Sequence, residues 1–110
     1  MLLNVQDANG NVQQVIAQAQ EALVDASSSI QATATSQLML NPNATRSGWM
    51  MQNRGANPMY VNESGGVAST GPGAFQVPPG GFFPPQGLPP TTAQVNVLGT
   101  AGDVYTVREW

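Results

Sequence analysis

The sequence predicts an all-β fold, an antiparallel β-sandwich or jelly roll of about seven or eight short strands behind an N-terminal arm or short helix. Three observations carry this expectation. From Ser28 onward the apolar residues recur with period two, as in half-buried strands. Turn chemistry built from Asn, Gly and Pro separates these runs at short intervals. Residues 71–90 place Gly or Pro at twelve of twenty positions, which leaves no room there for a helix or a long central strand.

Two patterns compete in the first 27 residues. Leu3-Asn4-Val5-Gln6 alternates apolar with polar and runs into Asn9-Gly10, a hairpin turn signal. Over residues 11–26, Val12, Val15, Ile16, Ala19, Leu23 and Ala26 follow helical spacing without an internal Gly or Pro. We therefore separate an arm, residues 1–27, that is helix-capable and suited to docking, from a β-sandwich domain, residues 28–110. The arm's apolar stripe needs cover, either from its own domain or from another subunit. Leu2, Leu3, Val12, Val15, Ile16 and Leu23, with Trp110 at the other end of the chain, are the candidate partner-binding residues.

Within the domain, residues 29–35 and 37–40 read as strands broken near Ser36, followed by strands over 47–53 and 59–62 that continue a β-meander. Residues 74–77 and 81–84 are short apolar pieces suited to edge strands, with Phe75, Phe82 and Phe83 as core pins. Residues 93–98 and 104–110, joined by the Gly-containing turn 99–103, read as a closing hairpin. Trp49-Met50-Met51 and Met59-Tyr60 carry large apolar residues on both sides of their strands, so these strands need cover on two sides, from a second layer or a neighbouring subunit.

At 110 residues the chain holds one small core. Charged residues make up 8%, Lys is absent, and the net charge is −3, so the electrostatic attraction that dominates nucleic-acid binding is missing. Contacts rest instead on amides, hydroxyls and apolar side chains. No apolar run reaches the ~20 residues of a membrane span, and Met1-Leu2-Leu3 lacks the basic flank of a secretory signal, which points to a soluble protein made in a cytoplasm. There is no Cys for disulfide or thiolate chemistry and no His for acid–base or metal work.

The six carboxylates are not paired by position, and Asp7-Ala8-Asn9-Gly10-Asn11 echoes a calcium loop without its downstream Glu. Gly65-Gly66 lacks the Lys-Ser/Thr of a phosphate loop. The pairs Pro78-Pro79, Pro84-Pro85 and Pro89-Pro90, interleaved with Phe82, Phe83 and Leu88, read as rigid ordered loops rather than polyproline ligands. No catalytic, cofactor-binding or metal-binding residue is expected, and no cofactor.

Residues 28–110 resemble a family of small β-sandwich structural proteins of tailed bacteriophages. The pattern is Asn41-Pro42-Asn43-Ala44-Thr45-Arg46, then Trp49-Met50-Met51-Gln52-Asn53, then Asn57-Pro58-Met59-Tyr60-Val61-Asn62, a Pro-Gly-Gly-Phe hairpin, and a closing Gln-Val-Asn-Val-Leu-Gly-Thr and Tyr-Thr-Val-Arg-Glu-Trp unit. The resemblance implies a non-enzymatic virion protein on the capsid surface, a decoration or cement protein bridging subunits of the major capsid protein as a homo-oligomer, dimer or trimer. It implies neither a nucleic-acid nor a membrane partner. The alternative is a receptor- or carbohydrate-binding head of a phage fibre, in which exposed Trp49, Tyr60 or Tyr105 stacks on sugar rings.

Overall fold

The computed structural model describes residues 23–84 and 89–110 in full, together with the backbone of two N-terminal strands, β1 (Leu2–Gln6) and β2 (Val12–Ile16). The remaining strands are β3 (Val24–Asp25), β4 (Ser28–Ser29), β5 (Gln37–Leu40), β6 (Trp49–Asn53), β7 (Met59–Asn62), β8 (Phe75–Val77), β9 (Phe82–Phe83), β10 (Val95–Leu98) and β11 (Val104–Glu109). The described residues are all-β: two antiparallel sheets packed face to face, and β1 and β2 as a separate two-stranded ribbon.

The strands from β4 onward unroll to one long hairpin. β4 to β7 form the outgoing arm and β8 to β11 the return, and every rung is paired: β7 with β8, β6 with β9, β5 with β10, and β4 with β11. Rolling this ribbon lays β11 on β6 and β10 on β7. The first sheet then runs β5-β10-β7-β8, and the second runs β3-β11-β6-β9 with β4 also on β11. This is the jelly-roll arrangement of a double sheet.

Period-two patterning places the core. Val95 and Val97, Met59 and Val61, and Val77 point inward from the first sheet, against Trp49 and Met51, Tyr105 and Val107, and Phe83 from the second. Trp49 meets Phe83 at 5.6 Å between ring centroids, and Phe83 meets Phe75 at 5.0 Å, so an aromatic row closes the β8/β9 margin.

Four expectations are corrected. First, of the two patterns that compete in the arm, the helical one gives way to the hairpin one: β2 pairs with β1 in the register Leu2↔Ile16, Leu3↔Val15 and Gln6↔Val12, and β3 pairs with β11 through Asp25↔Arg108. Three of the five residues of β2 are β-branched, which favours a strand, and a lone helix of this length is marginal in water. Ala19, the Asn9-Gly10 turn and the Asp7–Asn11 motif lie outside the described residues, as do Pro85 and Leu88. Second, residues 30–35 turn rather than extend, with Ala34 at φ +57°.

Third, β10 and β11 do not form a hairpin with each other, and β5, β6 and β7 do not form a meander; each of these successive strands crosses to the opposite sheet. All of β10 is buried and takes partners on both edges, β5 and β7. The 99–103 connection bonds instead to the turn after β4. Ile30 N–H donates to the Asp103 carbonyl at 2.8 Å, Gly102 N–H to the Ile30 carbonyl at 2.9 Å, and Ala34 N–H to the Gly99 carbonyl at 3.0 Å. Gly102, at φ +89°, supplies the left-handed residue that this turn requires. Fourth, of the three phenylalanines only Phe83 is a core pin; Phe75 and Phe82 are 50% and 61% exposed.

The sandwich edge at β3 and β4 is broken at residues 26–27, and the break is repaired by a side chain. Ala26 N–H donates to the Val107 carbonyl, and Val107 N–H donates to Ser27 Oγ at 3.0 Å. Asp25 accepts from Ser27 N–H at 2.9 Å and from Arg108 Nη1 at 2.7 Å. Hydrogen bonds from Ser27, with the Arg108 charge behind them, hold the Asp25 carboxyl below its ordinary pKa of 3.8. A folded-state value below the unfolded one means stabilisation that is present above the unfolded pKa and lost as pH falls through the folded one. The urea midpoint of the wild type should therefore fall on acidification below about pH 4 more steeply than that of Asp25→Asn. Parallel acid limbs in the two proteins would show that the contact contributes nothing.

Candidate functional site

The outer side of the second sheet carries an open groove of about 220 Å³ lined by Leu23, Met50, Met51, Gln52, Phe82, Thr106, Arg108 and Trp110. Strand register builds it. Residues facing the core from β6 are Trp49, Met51 and Asn53, so Met50 and Gln52 face outward, and their partners Arg108 and Thr106 on β11 and Phe82 on β9 share that side. Met50 is 46% exposed, Phe82 61%, Leu23 66% and Trp110 36%. Four large exposed apolar side chains thus border one depression, while the others among the described residues, Val24, Leu38, Val67, Phe75 and Val104, lie outside it.

Backbone pairing continues past β11 to fix Trp110. Trp110 N–H donates to the Gly48 carbonyl, and the Trp110 carbonyl accepts from Ser47 and Gly48 N–H. The indole lies so close over Gly48 that a Cβ there would come within 2.7 Å of the ring, so any side chain at this position displaces the indole. The cation in the lining, Arg108, is already committed: Nη1 donates to Asp25 Oδ1 and to Ser27 Oγ. Its stem borders the groove while its charge is drawn to the β3 edge. The site has apolar area and little net charge to offer.

Of the residues expected to bind a partner, Leu23 and Trp110 meet at this groove although they stand at opposite ends of the described sandwich in sequence. Leu2, Leu3, Val12, Val15 and Ile16 lie in the β1–β2 ribbon. Their side chains lie outside the described residues. Met50 and Phe82 were not among the candidates. The signal for Met50 was present in the two-sided apolar character of Trp49-Met50-Met51, whose outer side no described element covers. Phe82 gave none, because a strand of two residues does not show which of two aromatics points inward.

Trp49 and Tyr105, expected to be exposed for sugar stacking, are core residues at 4% and 3% exposure. Sandwich closure takes them because both sit on inward positions of the central strands, Trp49 against Phe83 and the Tyr105 hydroxyl accepting from Gln37 Nε2 at 3.4 Å. Tyr60 alone of the three reaches the surface. Among the described residues no three acidic side chains come together as a metal site would need.

Fold and groove together define the class: a jelly-roll β-sandwich with an open, mostly apolar groove on the outer side of its second sheet. Comparison with protein-family models, with curated proteins and with solved structures finds no match to this chain.

Proposed function

We propose that this chain is a non-enzymatic structural protein that attaches to a larger protein assembly through the groove of Leu23, Met50, Phe82 and Trp110. The observation that carries the reading is the concentration of these exposed apolar side chains on one face of a closed sandwich. Contiguous exposed apolar surface marks interaction sites, and buried aromatic and methionine anchors dominate such contacts. Following the family resemblance, the assembly is a bacteriophage capsid, the partner the major capsid protein, and the role decoration or cement on the virion surface as a dimer or trimer. Jelly rolls occur among viral capsid and lectin domains, a fold-level analogy that supports the reading without carrying it.

Gel densitometry of purified phage particles tests the assignment. A decoration protein is present in large excess over tail components; a fibre head is present at tail-fibre stoichiometry, and absence from particles overturns the virion role altogether. The groove is tested on the same particles. Phe82→Ser and Met50→Ser each forfeit about 1.5–3 kcal/mol of apolar burial, so each should weaken attachment by about 10- to 100-fold while the isolated protein keeps its thermal midpoint. Because few charges are available to be screened, raising NaCl at constant pH should change retention little. Complete shedding on moving from low to moderate salt would show an electrostatic contact instead.

A further inference from the structure

The opposite side of the sandwich holds a second concavity of different chemistry. It measures about 240 Å³ and is lined by Thr33, Ala34, Asn57, Pro58, Tyr60, Thr70, Leu98, Gly99 and Thr100. Met59 and Val61 point into the core, so Tyr60 points outward from the first sheet, beside its register partner Leu98. We propose that this pocket binds a single neutral sugar ring, stacked on Tyr60 and hydrogen-bonded by the Asn57 amide and the threonine hydroxyls.

Three features support a saccharide over other ligands. The lining has one aromatic plane and several neutral donors and acceptors. It has no Asp, Glu, Lys or Arg, which disfavours phosphates, carboxylates and cations. Second, its polar groups are unspent: no described residue hydrogen-bonds the Tyr60 hydroxyl, the Asn57 side-chain amide, or the Thr70 and Thr100 hydroxyls. Third, the frame behind them is fixed. Asn57 N–H donates to Asp103 Oδ2 at 3.1 Å, and its carbonyl accepts from the buried Asn53 amide at 2.8 Å. Ala34 N–H is held by the Gly99 carbonyl, and Ala101 N–H by Thr33 Oγ1 at 2.9 Å.

A rigid concave site with a few oriented polar groups and an apolar plate loses little on ordering. Its volume lies below the roughly 300–1,000 Å³ of sites for drug-sized ligands, a size that suits one ring rather than an oligomer. Since the pocket and the apolar groove occupy opposite sheets, occupation of one leaves the other open. The proposal thus stands independently of the attachment reading.

Titration of the ¹⁵N-labelled full chain with methyl glucoside, methyl galactoside and N-acetylglucosamine, followed by amide shifts, tests it. The expected result is saturable shifts from at least one sugar, centred on Ala34, Asn57, Tyr60, Gly99 and Thr100. Tyr60→Ala should weaken that binding about tenfold or more, Tyr60→Phe should largely retain it, and Asn57→Ala, which leaves the strand intact, should weaken it independently. No saturable shift with any of the three overturns the proposal. So do shifts centred on Phe82 and Trp110, or binding unchanged in both Tyr60→Ala and Asn57→Ala.

Discussion

Replacing Arg46 by Ala is expected to cost about 3–5 kcal/mol, a large share of the roughly 5–15 kcal/mol that holds a small domain together. The Arg46 side chain is fully buried, and its guanidinium ties three segments at one end of the sandwich. Nε donates to Glu109 Oε2 at 2.9 Å, Nη1 to the Thr91 and Ala93 carbonyls at 3.0 and 2.9 Å, and Nη2 to the Asn41 carbonyl. Truncation removes the cation beside a carboxylate only 15% exposed, leaving Glu109 the neutral Asn43 amide, and takes the donor from three backbone carbonyls. Arg46→Lys should recover only part of the loss, since one ammonium cannot reproduce a planar fork. Glu109→Gln should be milder than either, because an amide oxygen still accepts from Nε. Chemical denaturation of the three variants decides this; Arg46→Ala within 1 kcal/mol of wild type would show the clasp to be incidental.

Asn53→Asp is the second large effect, expected at about 2–5 kcal/mol. Asn53 has no solvent exposure. Its amide nitrogen donates to the Asn57 and Val77 carbonyls at 2.8 and 2.9 Å, and its oxygen accepts from Gly55 N–H at 2.9 Å. A carboxylate presents an oxygen where two carbonyls await a donor, exchanging attraction for repulsion in a dry site. Asn53→Leu removes the repulsion yet leaves the same partners unpaired, so it should be less harmful than Asp. Thermal unfolding in the order wild type, Leu, Asp supports this account; equal midpoints for Asn and Asp would sink it.

The other buried amides make the composition intelligible. Asn62 takes Ser64 N–H and gives to the Val67 carbonyl, while Asn96, its register partner on β10, gives to the Gly66 carbonyl at 2.7 Å. An Asn-rich, Lys-free sequence thus uses neutral side chains to hold its loops from within, as Arg46 does with charge. Hydrogen-bonding character was legible in the composition, but its location was not. Any of the twenty Asn and Gln residues reads alike until a carbonyl from a distant strand is placed before it.

By itself the sequence determined what is local: strands within 37–40, 47–53, 59–62, 93–98 and 104–110, the turns between them, and hence the all-β sandwich. Alternation with period two and the conformational demands of Gly, Pro and Asn act within a few residues, so they can be read without the fold. Tertiary structure alone decided which strands pair. Residues 93–110 carry a hairpin pattern, yet β10 and β11 separate into opposite sheets because β10 takes hydrogen-bonding partners on both its edges, β5 and β7, and leaves no edge for β11. It alone decided that Phe83 is inside and Phe82 outside, that Trp49 and Tyr105 are core, and that Leu23 and Trp110 meet beside Met50. Each of these outcomes depends on contacts across tens of residues, whose closure entropy is repaid only when the ribbon has rolled and the two sheets have met.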